Sequence, residues 1–239
     1  MIKKKYKIAI FLAARSGSKR LPNKHFLKIN SNLRIIDLCI LRLKKTRLIN
    51  KIFLCTTKKK EDDKFKNVCN KHKIELFRGS TNNVAKRIID CAKEHSIEII
   101  VRITADCPII DPNIIDECIK LHLNKNNDYT SNTLNLSFPD GLDVEVFYLD
   151  TLIQSQNLSR SNLNKEHVTK FIRKSKQFKK YNYNNKINYS NRRWTLDNLK
   201  DYRFLKKVVS YFLPNIFFSW EDLIRAEKYH DSLINIKER

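Results

Sequence analysis

Short apolar runs alternate with amphipathic stretches as far as Asn124, and this rhythm limits the chain to few architectures. Lys7 to Leu12, Lys51 to Thr57, Ile74 to Phe77 and Ile97 to Ile103 read as buried strands. Between them, Leu33 to Thr46, Glu61 to His72, Asn83 to His95 and Asn113 to Leu123 read as helices. Ile36, Leu38, Ile40, Leu41 and Leu43 mark the first helix, and Phe65, Val68 and Cys69 the second, at helical spacing. Such alternation predicts a mostly parallel sheet with helices on both faces. Ligands of these sheets bind beyond the carboxyl ends of the strands.

The first strand runs into Ala13-Ala-Arg-Ser-Gly-Ser-Lys-Arg-Leu-Pro-Asn-Lys24. Ala13, Ala14, Ser16, Gly17 and Ser18 have little side-chain bulk, so their backbone N–H groups can approach an anion closely. Arg15, Lys19, Arg20 and Lys24 surround them with cations. A strand end, small residues, cations and Pro22 in one block predict a phosphate site rather than a plain basic turn. Gly17 is one of only three glycines in the chain. Neither Gly-x-x-x-x-Gly-Lys-Ser/Thr nor Gly-x-Gly-x-x-Gly occurs, so a P-loop NTPase or a dinucleotide-binding Rossmann unit is not indicated.

With 239 residues the chain can bury the core of one domain, or of one domain with a subdomain. It has no apolar run of membrane-spanning length, and its first residues lack the apolar region of a signal peptide, so a cytosolic location is expected. Cys39, Cys55, Cys69, Cys91, Cys107 and Cys118 occur singly, without a C-x-x-C pair, and are expected to be buried free thiols. The formal charge of +23 invites a nucleic-acid reading. Lysines nevertheless run from end to end, and Ile and Asn are abundant as well. That is a bias expected from the base composition of coding DNA, so attraction of an anionic nucleotide is the preferred reading.

After Asn124 the rhythm changes. Tyr129 to Thr133 and Leu142 to Tyr148 read as strands, the second preceded by a Pro139-Asp-Gly141 turn. Residues 128–190 are therefore expected to form a small embedded mixed-strand subdomain with a helix near 165–175, within one α/β domain spanning 1–239. Tyr129, Leu134, Leu136, Phe138 and Phe147 are more apolar side chains than a small insertion can bury alone, which suggests a homodimer surface. Arg193 to Leu196 reads as a further short strand, followed by a helix over Leu199 to Phe212.

Several acidic residues are candidates for chemistry. Asp106 follows the strand at 100–103 and precedes Cys107-Pro108; a turn or helix-cap role and a metal role are both open to it. Asp197 is open to an N-cap role as well as a metal role, and Asp201 reads as a first-turn helix charge. Alternation puts Asp143 and Glu145 on one face, opposite Val144 and Val146. With Asp140 they are placed either to bind substrate hydroxyls or to face solvent.

The block from Ala13 to Lys24 resembles the signature loop of the sugar-activating cytidylyltransferases, which include the synthetases of CMP-sialic acid and CMP-3-deoxy-octulosonate. It is most similar to the spore-coat-polysaccharide type. Further similar blocks follow in order: Phe77-Arg-Gly-Ser80, Ile100-Val-Arg-Ile-Thr-Ala-Asp-Cys-Pro108, Ser131-Asn-Thr133, Pro139-Asp-Gly-Leu-Asp-Val-Glu-Val146, Glu166-His-Val168 and Arg193-Trp-Thr-Leu-Asp197. They cover residues 6 to about 210.

The resemblance implies a nucleotide-diphospho-sugar transferase-like fold and an enzyme that moves CMP from CTP to a sugar, sugar acid or phosphorylated acceptor, releasing pyrophosphate. It implies Mg²⁺ on Asp106 and Asp197, and a triphosphate held by Arg15 and Lys24 with the rest of the loop, Arg20 included. A base pocket is implied near Arg78 and Ser80, with Arg87 close by. Thr81-Asn-Asn83 stands where acidic residues are common in relatives, which argues against a carboxylate there. Glu166 and His167 match an acceptor-facing position, although His167 alone reads as a structural helix histidine. The family also implies a dimer in which the 128–190 region closes the partner's site. Two other classes remain: a nucleotide-sugar-dependent glycosyltransferase, which would lack the cationic loop, and a basic nucleic-acid-binding protein, which would release no pyrophosphate.

Overall fold

The computed structural model describes residues 6–159 and 168–229. Seven strands form one sheet: β1 (Ile8–Ala13), β2 (Lys51–Thr57), β3 (Glu75–Gly79), β4 (Ile99–Thr104), β5 (Tyr129–Ser131), β6 (Glu145–Tyr148) and β7 (Lys180–Asn182). Their order is β3-β2-β1-β4-β6-β5-β7. The neighbours of β1, β2, β3 and β4 in that half are parallel, and β6 alone runs against its neighbours β4 and β5. The strands of the 128–190 stretch thus extend the same sheet.

Helices α1 (Ile35–Leu43), α2 (Phe65–His72), α4 (Pro112–Lys125), α7 (Leu199–Phe212) and α8 (Trp220–Tyr229) cover one face. Helices α3 (Val84–Glu94), α5 (Leu149–Leu158) and α6 (Lys170–Lys174) cover the other. Alternation on β4 divides its side chains between two cores. Ile99, Val101 and Ile103 join Val144 and Val146 on the first face, and Ile100 joins Phe147 and Phe11 on the second. Every one of the six cysteines is a buried free thiol, as its apolar context predicts.

Three expected boundaries change. The helix expected from Glu61 breaks into a 3-10 turn at Lys60–Asp62 and α2, because Asp62 turns inward to bind Thr57 and Ser16. The strand expected at Leu142 begins at Glu145. Arg193 to Leu196 is not a strand: Arg193 makes one isolated bridge with Asp140, and Leu196 N–H donates to Asp106 O at 2.7 Å. This extended segment is pinned by Gly141, whose φ is 110°. A Cβ there would lie 2.7 Å from the Trp194 carbonyl carbon and 2.8 Å from Thr195 N, a contact that only glycine avoids.

Candidate active site

The loop after β1 is built around one anchor. Ser16 N–H donates to Asp62 Oδ1 at 2.7 Å and Ser16 Oγ donates to Glu61 O at 3.1 Å, while Thr57 donates to the other Asp62 oxygen. Burial opposes the charge on Asp62, yet the hydrogen bonds from Thr57 and Ser16 outweigh it and hold the carboxyl below its ordinary value. Ser16 is therefore a tether. The rest of the loop, Ala13, Ala14, Arg15, Gly17, Ser18, Lys19 and Arg20, lines a cavity of about 520 Å³.

Lys24 opens a 3-10 turn at Lys24–Phe26 and is buried beneath that cavity. Its Nζ donates to Leu196 O at 2.7 Å and lies 3.3 Å from Asp197 Oδ1 and 3.6 Å from Asp106 Oδ2. One ammonium thus sits between the two carboxylates. Arg20 approaches Asp197 from the solvent side at 2.8 Å. Asn198, and not Asp197, caps α7, in a reciprocal capping box with Asp201. The Asp197 carboxylate is therefore not spent on the cap and lines the cavity, paired with Lys24, Arg20 and Arg193. His25, beside Lys24, is buried with its Nδ1 unpartnered among the described residues; burial and then the Lys24 charge push its pKa down to about 4, so the ring is neutral at pH 7.

A second cavity of about 540 Å³ adjoins the first. It is lined by Arg102, Thr104, Thr133, Asp143, Glu145, Thr169 and Arg173, among others. Reversal of β6 creates it, because the amino end of β6 lies beside the carboxyl end of β4, where Glu145 is paired with Arg102. Asp143 faces this cavity. Burial, followed by the charges of Asp140, Glu145 and Asp106, raises its pKa to about 6. Glu145 does not have a free oxygen to offer a substrate, contrary to the expectation for it: Arg102 pairs with Oε2, and Tyr129 (2.6 Å) and Thr169 donate to Oε1. The alternation that aims it at the site also brings it against Arg102.

Other expected residues are placed differently. Arg78 is held on the outer strand by Thr57 O at 3.1 Å, Lys59 O at 2.9 Å and Asp63, away from the cavity lining. Ser80 accepts from Asn83 N–H at 3.2 Å and also lies off it. Arg87 does line the first cavity, but its guanidinium clamps Ser80 O at 2.7 and 3.0 Å. Asp140 pairs with Arg193 at 2.9 Å on the rim of a third hollow beside Asp143. Glu166 and His167 lie outside the described residues. Sequence reasoning missed Arg102, Thr104, Arg173 and Arg193; all but Arg173 had a signal, Arg102 and Thr104 in the block ending at Pro108 and Arg193 at the head of the block ending at Asp197.

A family model described as cytidylyltransferase matches residues 9–222. A cytidylyltransferase structure from Leptospira borgpetersenii is 34% identical, with a TM-score of 0.92 over 98% of both chains. The spore coat polysaccharide biosynthesis protein SpsF of Bacillus subtilis is 28% identical over 209 residues, 84% of this chain and 85% of that protein. A CMP:2-keto-3-deoxy-manno-octonic acid synthetase shares the fold, with a TM-score of 0.64 at 11% identity over 87% of this chain and 100% of its own. With a cationic loop at the end of β1, two carboxylates converging on Lys24 and a model match across nearly the whole chain, this protein belongs to the cytidylyltransferase family and is a nucleotidyltransferase enzyme.

Proposed function

We propose that the enzyme transfers CMP from CTP to a sugar, sugar acid or phosphorylated acceptor, releasing pyrophosphate, in surface polysaccharide or glycoconjugate biosynthesis. The observation that carries this reading is the meeting of two cavities at the strand ends, one ringed by Arg15, Lys19, Arg20 and Lys24 and the other holding Asp143. The first suits a triphosphate and the second a hydroxyl-bearing acceptor. The resemblance to SpsF supports a role in polysaccharide assembly.

In the mechanism we infer, the small residues of the loop let its N–H groups close on the phosphates, and Arg15 and Lys24 neutralise their charge. An acceptor oxygen in the second cavity then attacks the α-phosphorus opposite the departing pyrophosphate, so that catalysis comes from in-line positioning. Asp106 and Asp197 are the carboxylates that would hold Mg²⁺. Two carboxylates with phosphate oxygens and water suit this ion, and both carboxylates lie within 3.6 Å of Lys24 Nζ, so they face the same part of the cavity. Bound there, the ion would supply charge neutralisation at the phosphates. Tyr129, Phe138 and Phe147, expected at a dimer surface, are buried in this chain's own cores because this stretch joins the main sheet, and of the five residues named only Leu136 is strongly exposed. We still infer a homodimer, from a different patch. Leu136 and Ile187 are each about three-fifths exposed near the outer strand β7, brought together by bonds from Asn185 and Tyr189 to Ser137, and light scattering that found only monomer would count against it.

The test is incubation with CTP, UTP, ATP or GTP, Mg²⁺ and a panel of acidic sugars, sugar phosphates and polyol phosphates, with pyrophosphate as the readout. Release with CTP above the other three supports the reading. Equal release with all four removes the cytosine preference. No release and no thermal protection by any triphosphate overturns it.

A further inference from the structure

Arg102 and Thr104 line both cavities. They project from one face of β4 at its carboxyl end, two residues apart. On the cytidylyl-transfer reading, on which this inference rests, the α-phosphorus has the nucleotide behind it and the acceptor oxygen in front. It must therefore sit where the two cavities meet. Among the described residues, Arg102 is the one cation that lines both.

We propose that Arg102 is a catalytic residue that donates hydrogen bonds to a non-bridging oxygen of the CTP α-phosphate. Its guanidinium is fixed in advance. Glu145 takes Nη1, and Glu145 is itself held by Tyr129 and Thr169, so the fork has little freedom to swing. The Nε edge is left over: this nitrogen is buried and has no hydrogen-bond partner among the described residues. With one edge buried and another taken by Glu145, the donors that remain at the cavity wall have no acceptor among the described residues, and a phosphoryl oxygen is the strongest acceptor that a ligand could bring to them. The side chain stays 22% exposed at the cavity wall, which leaves the rest of the fork within reach of a ligand.

The pairing with Glu145 also says what kind of help Arg102 gives. The pair is neutral overall, so it aims donors at one point without adding net attraction for the triphosphate. During transfer the acceptor oxygen bonds to the α-phosphorus as the bond to the pyrophosphate oxygen breaks. The electron pair leaves with pyrophosphate, the proton of a hydroxyl acceptor passes to water, and Arg102 keeps its own protons because a guanidinium does not deprotonate at working pH.

CMP tests this directly, since it carries the α-phosphate and no other. Affinities for CTP, CMP and cytidine would be measured by calorimetry for wild type, Arg102→Gln and the double variant Arg102→Gln/Glu145→Gln, which leaves no buried carboxylate unpaired. Circular dichroism would confirm that each folds. Both variants should lose about tenfold to a hundredfold in affinity for CMP and CTP alike while cytidine binding stays the same, and the ³¹P shift of bound CMP should move. Unchanged CMP affinity in the double variant, or an equal loss for cytidine and CMP, would overturn the assignment while cytidylyl transfer stood. A wild type that bound no cytidine nucleotide would overturn both.

Discussion

Replacing Asp143 by Asn should make the protein more stable at pH 8 while impairing its turnover. Leu142 and Val144 point into the core, so Asp143 is turned to the cavity between them, where burial and then Asp140, Glu145 and Asp106 oppose its charge. Its pKa is raised from 3.8 to about 6. The folded protein therefore holds this proton more tightly than the unfolded chain, and the stability this contributes is complete below about pH 4 and lost as pH rises through 6. Above that, the ionised carboxylate is a net cost. A shift from 3.8 to about 6 is worth about 3 kcal/mol at 1.36 kcal/mol per tenfold change in proton affinity. Water in the open cavity screens part of it, leaving about 1–2 kcal/mol. Asparagine keeps the shape without the charge, so Tm at pH 8 should rise by about 2–8 °C in a chain of this size. Thermal unfolding of both proteins at steps from pH 8 to pH 4 would show the gain shrinking steadily towards the acid end. A gain independent of pH, or none at pH 8, would refute the reasoning.

Lys24→Ala should weaken CTP binding by about tenfold to a hundredfold, the worth of one charge-assisted phosphate contact, with the fold retained by circular dichroism; unchanged calorimetric affinity would remove Lys24 from the triphosphate site. Asp106→Asn should abolish pyrophosphate release even at saturating CTP and Mg²⁺, whereas near wild-type turnover would make Asp106 a turn former only. Gly141→Ala should destabilise the protein by about 3 kcal/mol or more, since a φ of 110° and a 2.7 Å approach to Trp194 leave no room for a methyl; a denaturation midpoint within error of wild type would contradict this. Duplex DNA should bind weakly and release as salt rises through the physiological range, as nonspecific contacts do, and sequence-selective binding that survived salt would reopen the nucleic-acid reading.

The sequence by itself determined the parallel half of the sheet. Runs such as Lys51 to Thr57 and Ile99 to Thr104 are apolar because both sheet faces are covered there, and that property is local to the run. It also exposed the loop at Ala13 to Lys24 and the acidic ends at Asp106 and Asp197, since strand ends and small-residue loops are written in consecutive residues. The direction of β6 was a different matter. Nothing local to Glu145–Tyr148 says which neighbour it pairs with, and pairing with β4 is what turns Glu145 from a substrate carboxylate into the partner of Arg102. Likewise Asp197 read equally as a cap for α7 or as a site carboxylate, and only the tertiary structure shows that Asn198 makes the cap while Asp197 meets Lys24, 173 residues away in sequence. Spacing along the chain reports neighbours three or four residues apart, while ion pairs between distant segments form only when the sheet brings their strand ends together, and that is why the active site became legible last.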